Sequence, residues 1–162
     1  AVARRAQAFG MRLLGTDPVA MSEAFLTETG IAMVPRDELL AAADVVSLNC
    51  DLNPTSRHIM SAEAFARMKP GAFLINTARG PLVDEAALVR ALESGRLAGG
   101  AMDVFEHEPL PADSPLRRFP NLMFAPHNAN SSPAAWERVH LSTIDNLLGV
   151  LLDVPSATRA AS

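Results

Sequence analysis

The residues best able to do chemistry in this sequence fall where predicted strands end. In chain order they are Asp17, Asn49-Cys50-Asp51, Thr77-Ala78-Arg79-Gly80, Asp103, Glu106, Glu108 and His127-Asn128. An arginine can pair with a carboxylate through two hydrogen bonds, and a histidine exchanges protons near neutral pH. A carboxylate beside a histidine favours its protonated form. Taken singly, most of these residues would be caps or turn residues, but their grouping at strand ends indicates a binding site.

Short apolar runs alternate with helical patterns along the chain, which predicts βα units around a parallel sheet. The predicted strands are MRLLGT (11–16), DVVSL (44–48), AFLIN (72–76), LAGGAMDV (97–104) and residues 121–125. The predicted helices cover residues 1–9, 36–43, 62–68, 84–94 and 133–153. Ser61 and the Ser132-Pro133 pair are typical helix starts. Residues 105–121 contain four prolines and are predicted to form a loop.

Composition excludes several classes of protein. The 162 residues are 49% hydrophobic and 20% charged, which suits one folded domain and excludes a disordered or fibrous chain. There are 14 basic and 18 acidic residues and no basic block, so nucleic acid and anionic membranes are not expected partners. The single cysteine, Cys50, cannot form an internal disulfide, which favours a cytoplasmic location. We expect no metal site and no membrane span.

Four segments carry motifs in a fixed order. They are VVSLNCDLNPTSRHIM (45–60), GAFLINTARGPLVD (71–84), AGGAMDVFEHEPL (98–110) and FAPHNANSS (124–132). Together they resemble the coenzyme-binding domain of the D-isomer-specific 2-hydroxyacid dehydrogenases, over residues 1–153. The resemblance implies a Rossmann-like α/β fold with a doubly wound parallel sheet. It also implies hydride transfer between NAD(H) and a small 2-keto or D-2-hydroxy acid, with residues 154–162 as a C-terminal tail.

The resemblance also implies three catalytic residues. Arg79, in the N-x-x-R-G motif, would hold the carboxylate and carbonyl of the substrate. His127, in the P-H motif, would be the acid/base. Glu108, which ends the D-V-F-x-x-E-P motif, would orient His127, whereas Glu106 falls on a variable position. His58 lies in a polar loop and is expected to be solvated.

Further residues are implied to bind the coenzyme. Asp17 would contact the adenosine ribose, Cys50 the adenine side, Thr77 and Ala78 the cofactor through their backbone, and Asp103 the nicotinamide carboxamide. Arg79 and His127 are expected to lie against the cofactor as well. A carboxylate at position 17 predicts a preference for NAD over NADP, because it repels a 2′-phosphate.

The sequence departs from the family pattern in its details and its extent. Asn49 and Asp51 stand where the family commonly has histidine and proline. A glycine-rich loop, the strand before it and most of a substrate domain are absent from the 162 residues. We therefore expect the isolated chain to be inactive, and the full-length protein to form a homodimer through the helix that contains Trp136. An NAD-sensing corepressor-like binding module and an inactive fragment remain alternative readings.

Overall fold

A computed structural model describes residues 1–152 of the chain. The chain divides into two compact units, Ala1–His127 and a segment that begins at Asn128. The helices of the first unit are α1 (Val2–Ala8), α2 (Glu23–Thr29), α3 (Arg36–Ala42), α4 (Ala62–Arg67) and α5 (Glu85–Glu93), with 3-10 turns at Gly80–Leu82 and Pro115–Arg118. Its strands are β1 (Leu14–Gly15), β2 (Ala32–Met33), β3 (Val45–Leu48), β4 (Ala72–Asn76), β5 (Leu97–Met102) and β6 (Leu122–Phe124). The described part of the second unit contains the helix α6 (Pro133–Leu151).

Every strand pairing in the first unit is parallel. Four strands form a sheet in the order β3-β4-β5-β6, and β1 pairs with β2 in a separate two-stranded sheet. This arrangement confirms the α/β fold that the alternation of apolar runs predicted. The strands nevertheless form two sheets rather than one.

The core lies around the four-stranded sheet. In β4, Ala72, Leu74 and Asn76 are buried, in the alternating pattern that strand geometry produces. The buried face of α5 contributes Leu88 and Leu92 to the same cluster. In β5, a Cβ atom on Gly100 would lie 2.2 Å from the carbonyl oxygen of Leu74. The neighbouring strand therefore approaches β5 too closely for a side chain at this position.

Side-chain caps fix the starts of the helices that flank this sheet. The Ser61 hydroxyl accepts a hydrogen bond from the Ala64 N–H at the start of α4. The Asp84 carboxylate accepts one from the Ala87 N–H at the start of α5. Because these bonds satisfy amide donors that a helix leaves unpaired, they explain why α4 begins at the predicted Ala62 and α5 at Glu85, one residue after its predicted start.

Several elements differ from the sequence predictions. No element was predicted for α2 or β2, and β5 ends at Met102 rather than Val104. The predicted loop 105–121 contains a 3-10 turn. The predicted end of the last helix at Asp153 and the tail 154–162 lie outside the described residues. Within residues 1–152, no helix has the length and apolar character needed to cross a membrane.

Candidate active site

The four-stranded sheet brings the predicted site residues to one edge. Its strands pair so that their last residues, Leu48, Asn76, Met102 and Phe124, lie in one row across the sheet. The residues that follow this row are those to which the sequence assigned chemistry, beginning with Asn49, Thr77 and Asp103. The carboxyl ends of parallel strands are where α/β sheets bind ligands.

A buried asparagine shapes the turn that carries Arg79. The Asn76 side chain is fully buried, and its amide nitrogen donates to the Arg79 carbonyl at 2.9 Å. Its side-chain oxygen accepts from the Ala78 N–H at 3.1 Å. Sequence reasoning gave Asn76 no role, although a polar residue that ends an apolar strand must find such partners when buried. Asn76 therefore fixes the backbone from which the Arg79 side chain projects.

Arg79 reaches solvent from this turn. Its guanidinium donates to the Ala78 carbonyl at 2.6 Å, and its side chain is exposed. It lines a cavity of about 590 Å³ at the ends of β3 and β4, together with Asn49, Cys50, Asp51, Leu52 and Ala78. Asn49 and Asp51, where the sequence departs from the family pattern, therefore lie in the same cavity as Arg79.

Glu108 and His127 form a hydrogen-bonded pair. Their Oε2 and Nδ1 atoms are 2.7 Å apart, and the side chains are 35% and 49% exposed respectively. The other oxygen of Glu108 accepts from the Phe105 N–H at 2.9 Å. The His127 N–H donates to the Asp103 carbonyl at 2.8 Å, and His127 has a φ of 56°. The pairing predicted for Glu108, rather than Glu106, with His127 matches this geometry.

These contacts change the acidity of Glu108. The hydrogen bond with His127, and then the Phe105 N–H, hold the pKa of Glu108 below its ordinary value, against a smaller opposing effect of burial. Glu108 therefore remains a carboxylate at neutral pH. A carboxylate on Nδ1 orients the imidazole and favours its charged form.

A second cavity contains the pair. It has a volume of about 630 Å³, and its lining includes Glu108 and His127, buried Asp103, and the rings of Phe105 and Phe124. Arg79 does not line this cavity. The structure thus places Glu108, His127 and Asp103 in one cavity, and Arg79 in the cavity at the ends of β3 and β4.

Gly80 connects the segments that carry these residues. A Cβ atom at position 80 would lie 1.9 Å from the Phe105 carbonyl oxygen and 2.7 Å from the Glu106 nitrogen. Only glycine permits this approach. The residue after Arg79 therefore packs directly against the loop that leads to Glu108.

Of the remaining predicted cofactor residues, Cys50 and Ala78 line the cavity of Arg79. Asp17 is exposed, and one of its oxygens accepts from the Val19 N–H at 2.8 Å. Partial burial raises the pKa of the Cys50 thiol, and the charges of Asp51 and Asp17 raise it further. Asp17 therefore lies close enough to Cys50 to affect it electrostatically. Thr77 is exposed at the end of β4.

One histidine–carboxylate contact beside the site was not predicted. The Nε2 atom of His58 lies 2.6 Å from Oε1 of Glu106, and both side chains are partly shielded from solvent. The His58 side chain is 40% exposed, so it still contacts solvent as expected, but its pairing with Glu106 was not foreseen. The partners are separated by 48 residues in sequence, so no local pattern could have indicated the contact. Within residues 1–152 there is no group of three or more side chains suited to a metal ion.

Comparison with known proteins identifies the family. Residues 1–129 match the model of the D-isomer specific 2-hydroxyacid dehydrogenase, NAD binding domain. The chain is 43% identical over 148 residues to a glyoxylate reductase of Korarchaeum cryptofilum, covering 91% of this chain and 44% of that protein.

Solved structures agree with this result. A glyoxylate reductase from Paecilomyes thermophila superimposes with a TM-score of 0.85 at 41% identity, over 91% of this chain and 44% of that one. A D-lactate dehydrogenase from Aquifex aeolicus, complexed with NAD and lactic acid, gives a TM-score of 0.83 at 32% identity, over 94% of this chain and 50% of that one.

The chain spans half or less of the length of these relatives. Because they are reductases and dehydrogenases, they give no support to a corepressor-like binding module. The matched domain binds NAD, as the resemblance implied. The chain belongs to the D-isomer-specific 2-hydroxyacid dehydrogenases, and its residues 1–129 match their NAD-binding domain.

Proposed function

We propose that the whole protein interconverts a small 2-keto acid and the corresponding D-2-hydroxy acid. The observation that carries this proposal is the 2.7 Å contact between Glu108 and His127 in a cavity at the carboxyl edge of the sheet. A histidine paired with a carboxylate is suited to deliver a proton near neutral pH. The reductase and dehydrogenase names of the relatives support the same reaction class.

His127 serves as the proton donor and acceptor. The Nδ1 atom of His127 is hydrogen-bonded to Glu108, so Nε2 is the nitrogen that faces the substrate oxygen. In keto-acid reduction the imidazolium gives this proton to the oxygen as the carbonyl becomes an alcohol. In the reverse direction the neutral imidazole takes the proton back. The negative charge of Glu108 stabilises the imidazolium in both directions.

Arg79 binds the substrate carboxylate. A guanidinium pairs with a carboxylate through two parallel hydrogen bonds, a geometry that a lysine cannot match. In the structure the guanidinium donates to the carbonyl of Ala78, and its exposed side chain is free to turn toward a substrate. The approach of Gly80 to the Phe105–Glu106 peptide keeps this arginine close to the loop of Glu108.

The residues around the cavity of Arg79 fit a dinucleotide. Asp17 has an exposed carboxylate that can accept hydrogen bonds from ribose hydroxyls, and its negative charge disfavours a 2′-phosphate. Cys50, Thr77 and Ala78 lie at the ends of β3 and β4, where a cofactor would contact their backbone. Asp103, in the cavity of the pair, would bind the carboxamide. Bound NAD(H) supplies the hydride.

Two further properties belong to this proposal. The whole protein is a homodimer, and α6 is the surface through which it assembles, because Trp136, Ile144 and Leu147 are exposed apolar side chains of this helix. It functions in the cytoplasm, where Cys50 stays reduced. Its partners are small acids rather than nucleic acid or membranes.

The reaction is tested by following NADH oxidation by the whole protein with glyoxylate or hydroxypyruvate. We expect steady turnover, and we expect His127→Ala to lower kcat by on the order of 100-fold or more, with little change in Kd for NADH. His107→Ala, which replaces an exposed histidine in the neighbouring loop, is the matched control and should retain activity. Absence of turnover with any small 2-keto acid, in protein that binds NADH, would contradict the proposal.

A further inference from the structure

A second histidine–carboxylate pair lies beside the first, and none of its residues has an assigned role. His58 and Glu106 approach to 2.6 Å, with their side chains 40% and 24% exposed. Glu85 contacts the same loop. From these contacts we infer that His58, Glu106 and Glu85 are positioning residues. They fix the position of the Glu108 loop, residues 105–108, relative to Arg79. The inference rests on the proposed function.

Glu106 is held at both its backbone and its side chain. Its N–H donates to Oε1 of Glu85 at 2.7 Å, and its carboxylate pairs with His58. The peptide that precedes this N–H packs against Gly80, where no Cβ would fit. Two parts of the chain, residues 80–85 and His58, therefore hold Glu106 in place.

The contacts that hold Glu106 also affect Glu108, through a short turn. The N–H of Phe105, the residue just before Glu106, donates to Oε1 of Glu108 at 2.9 Å. Oε2 of Glu108 then meets Nδ1 of His127. If Glu106 moved, the amide that orients Glu108 would move with it. The geometry of the Glu108–His127 pair therefore depends on a residue that does not touch it.

His58 is in turn attached to the segment that follows Arg79. The His58 N–H donates to the Pro81 carbonyl at 2.8 Å, and the Met60 N–H donates to the Leu82 carbonyl at 3.0 Å. His58 has a φ of 51°, a conformation that few residues other than glycine adopt, so its contacts hold it in place. The His58–Glu106 pair thus ties the substrate-binding arginine segment to the Glu108 loop.

Glu85 completes the arrangement from the first turn of α5. Burial raises the pKa of Glu85, while the bond from the Glu106 N–H opposes this change and the charge of Glu106 adds to it. A half-buried carboxylate aimed at a loop amide is costly to maintain without a compensating contact. Its partner, Glu106, is the residue that His58 also holds.

The test replaces each member in the whole protein. We expect Glu106→Ala and His58→Ala each to lower kcat by about tenfold, because a small displacement of a catalytic group is enough to do so. KM for NADH should change less than twofold. The kcat of the double variant should be no lower than that of either single variant, because both substitutions remove the same contact. Glu106→Gln keeps the length and hydrogen-bonding capacity of the side chain and should restore most of the activity.

The matched control lies on the same helix as Glu85. Glu93, at the other end of α5, pairs with Arg118 at the surface. Glu85→Ala, which removes the acceptor of the Glu106 N–H, should lower kcat, whereas Glu93→Ala should not. Thermal unfolding of every variant reports on the fold. If His58→Ala does not fold, His58→Asn replaces it, because asparagine tolerates the positive φ and has a shorter side chain than histidine.

A second measurement does not depend on turnover. The proton resonances of the His127 ring, recorded at one fixed pH, should shift in Glu106→Ala and stay in place in Glu93→Gln. A folded Glu106→Ala protein with unchanged kcat and unchanged His127 ring resonances would overturn the inference. If the wild-type protein reduces no keto acid, the proposed function fails, and the His127 resonances alone then decide this inference.

Discussion

Glu108 is the residue on which the acid–base chemistry depends most directly. Its two oxygens are each engaged, one by the Phe105 N–H and one by His127. These bonds lower the pKa of Glu108, so its carboxylate stabilises the folded protein at pH values above its ordinary pKa. That contribution is lost as the pH falls through the lowered value. At neutral pH the charge remains available to His127.

Replacing Glu108 by glutamine should therefore change the pH dependence of the reaction. Without the negative charge the imidazolium is less stable, so activity in keto-acid reduction is lost at lower pH, and the optimum moves toward acid by about one pH unit. The measurement is kcat/KM for the keto acid across the pH range. An unchanged profile would remove Glu108 from this role, and Glu93→Gln should behave as wild type.

Asp17 should determine the choice of dinucleotide. Its exposed carboxylate accepts hydrogen bonds from ribose hydroxyls but repels a phosphate at the same place, so we expect NAD to bind roughly tenfold more tightly than NADP. Asp17→Ala should reduce the difference in affinity between NAD and NADP. Asp113→Asn, at an exposed loop position, should leave that difference unchanged. Equal or tighter binding of NADP to the wild-type protein would contradict this prediction.

At the scale of the elements, the contact at Gly80 offers a direct test. In Gly80→Ala the new methyl group overlaps the Phe105 carbonyl, so the backbone must shift, at a cost of about 1–3 kcal/mol in the free energy of unfolding. Because the displaced loop leads to Glu108, kcat should fall as well. Urea unfolding and steady-state kinetics measure the two effects.

Gly71 provides the control for that substitution. It has a φ of 80°, and a Cβ there meets nothing within 4 Å. Gly71→Ala should therefore cost about 1–2 kcal/mol through backbone strain alone, while kcat is preserved. Loss of kcat in Gly71→Ala equal to that in Gly80→Ala would show that stability, rather than the position of the loop, limits activity.

The elements also show which features the sequence can predict. AFLIN was predicted as a strand and forms β4 at the predicted residues, because its apolar run is buried and its bounds are marked by Gly71 and Asn76. By contrast β2 is two residues long and exposed, so it carries no hydrophobic pattern. The start of α2 was signalled by the cap residue Ser22, and its end by Gly30, but a helix of seven residues gives little periodicity.

The candidate site likewise has features that the sequence predicts and features that it does not. Arg79, Glu108 and His127 lie in motifs that can be read locally, so their positions were predictable. The sequence could not predict that Arg79 and His127 line different cavities, and it could not predict the His58–Glu106 contact. Such features depend on how loops from distant parts of the chain pack, which periodicity and spacing do not encode.

At the scale of the whole molecule, α6 underlies the prediction of a homodimer. Trp136 is 54% exposed near its start, beside the ring of His140. A large exposed aromatic side chain on an apolar helix is a frequent anchor of interfaces. We expect light scattering of the whole protein at micromolar concentration to give the mass of a dimer.

Substitution of the anchor tests whether α6 forms that interface. Trp136→Ala should weaken the dimer by about 2 kcal/mol, the loss typical of an interface anchor. Glu137→Gln, one residue away, should leave the dimer intact. A monomeric wild-type protein would contradict the prediction, and a dimer unaffected by Trp136→Ala would place the interface elsewhere.

Cys50 gives the chain a chemical reporter. It is the only cysteine among the 162 residues, it is exposed, and it lines the cavity of Arg79. Because its thiol has a raised pKa, little of the reactive thiolate is present at neutral pH, and alkylation by iodoacetamide should be slow. A dinucleotide in this cavity would shield the thiol further. The rate of labelling at one sulfur atom would then measure how much of the protein holds its cofactor, without any substrate being turned over.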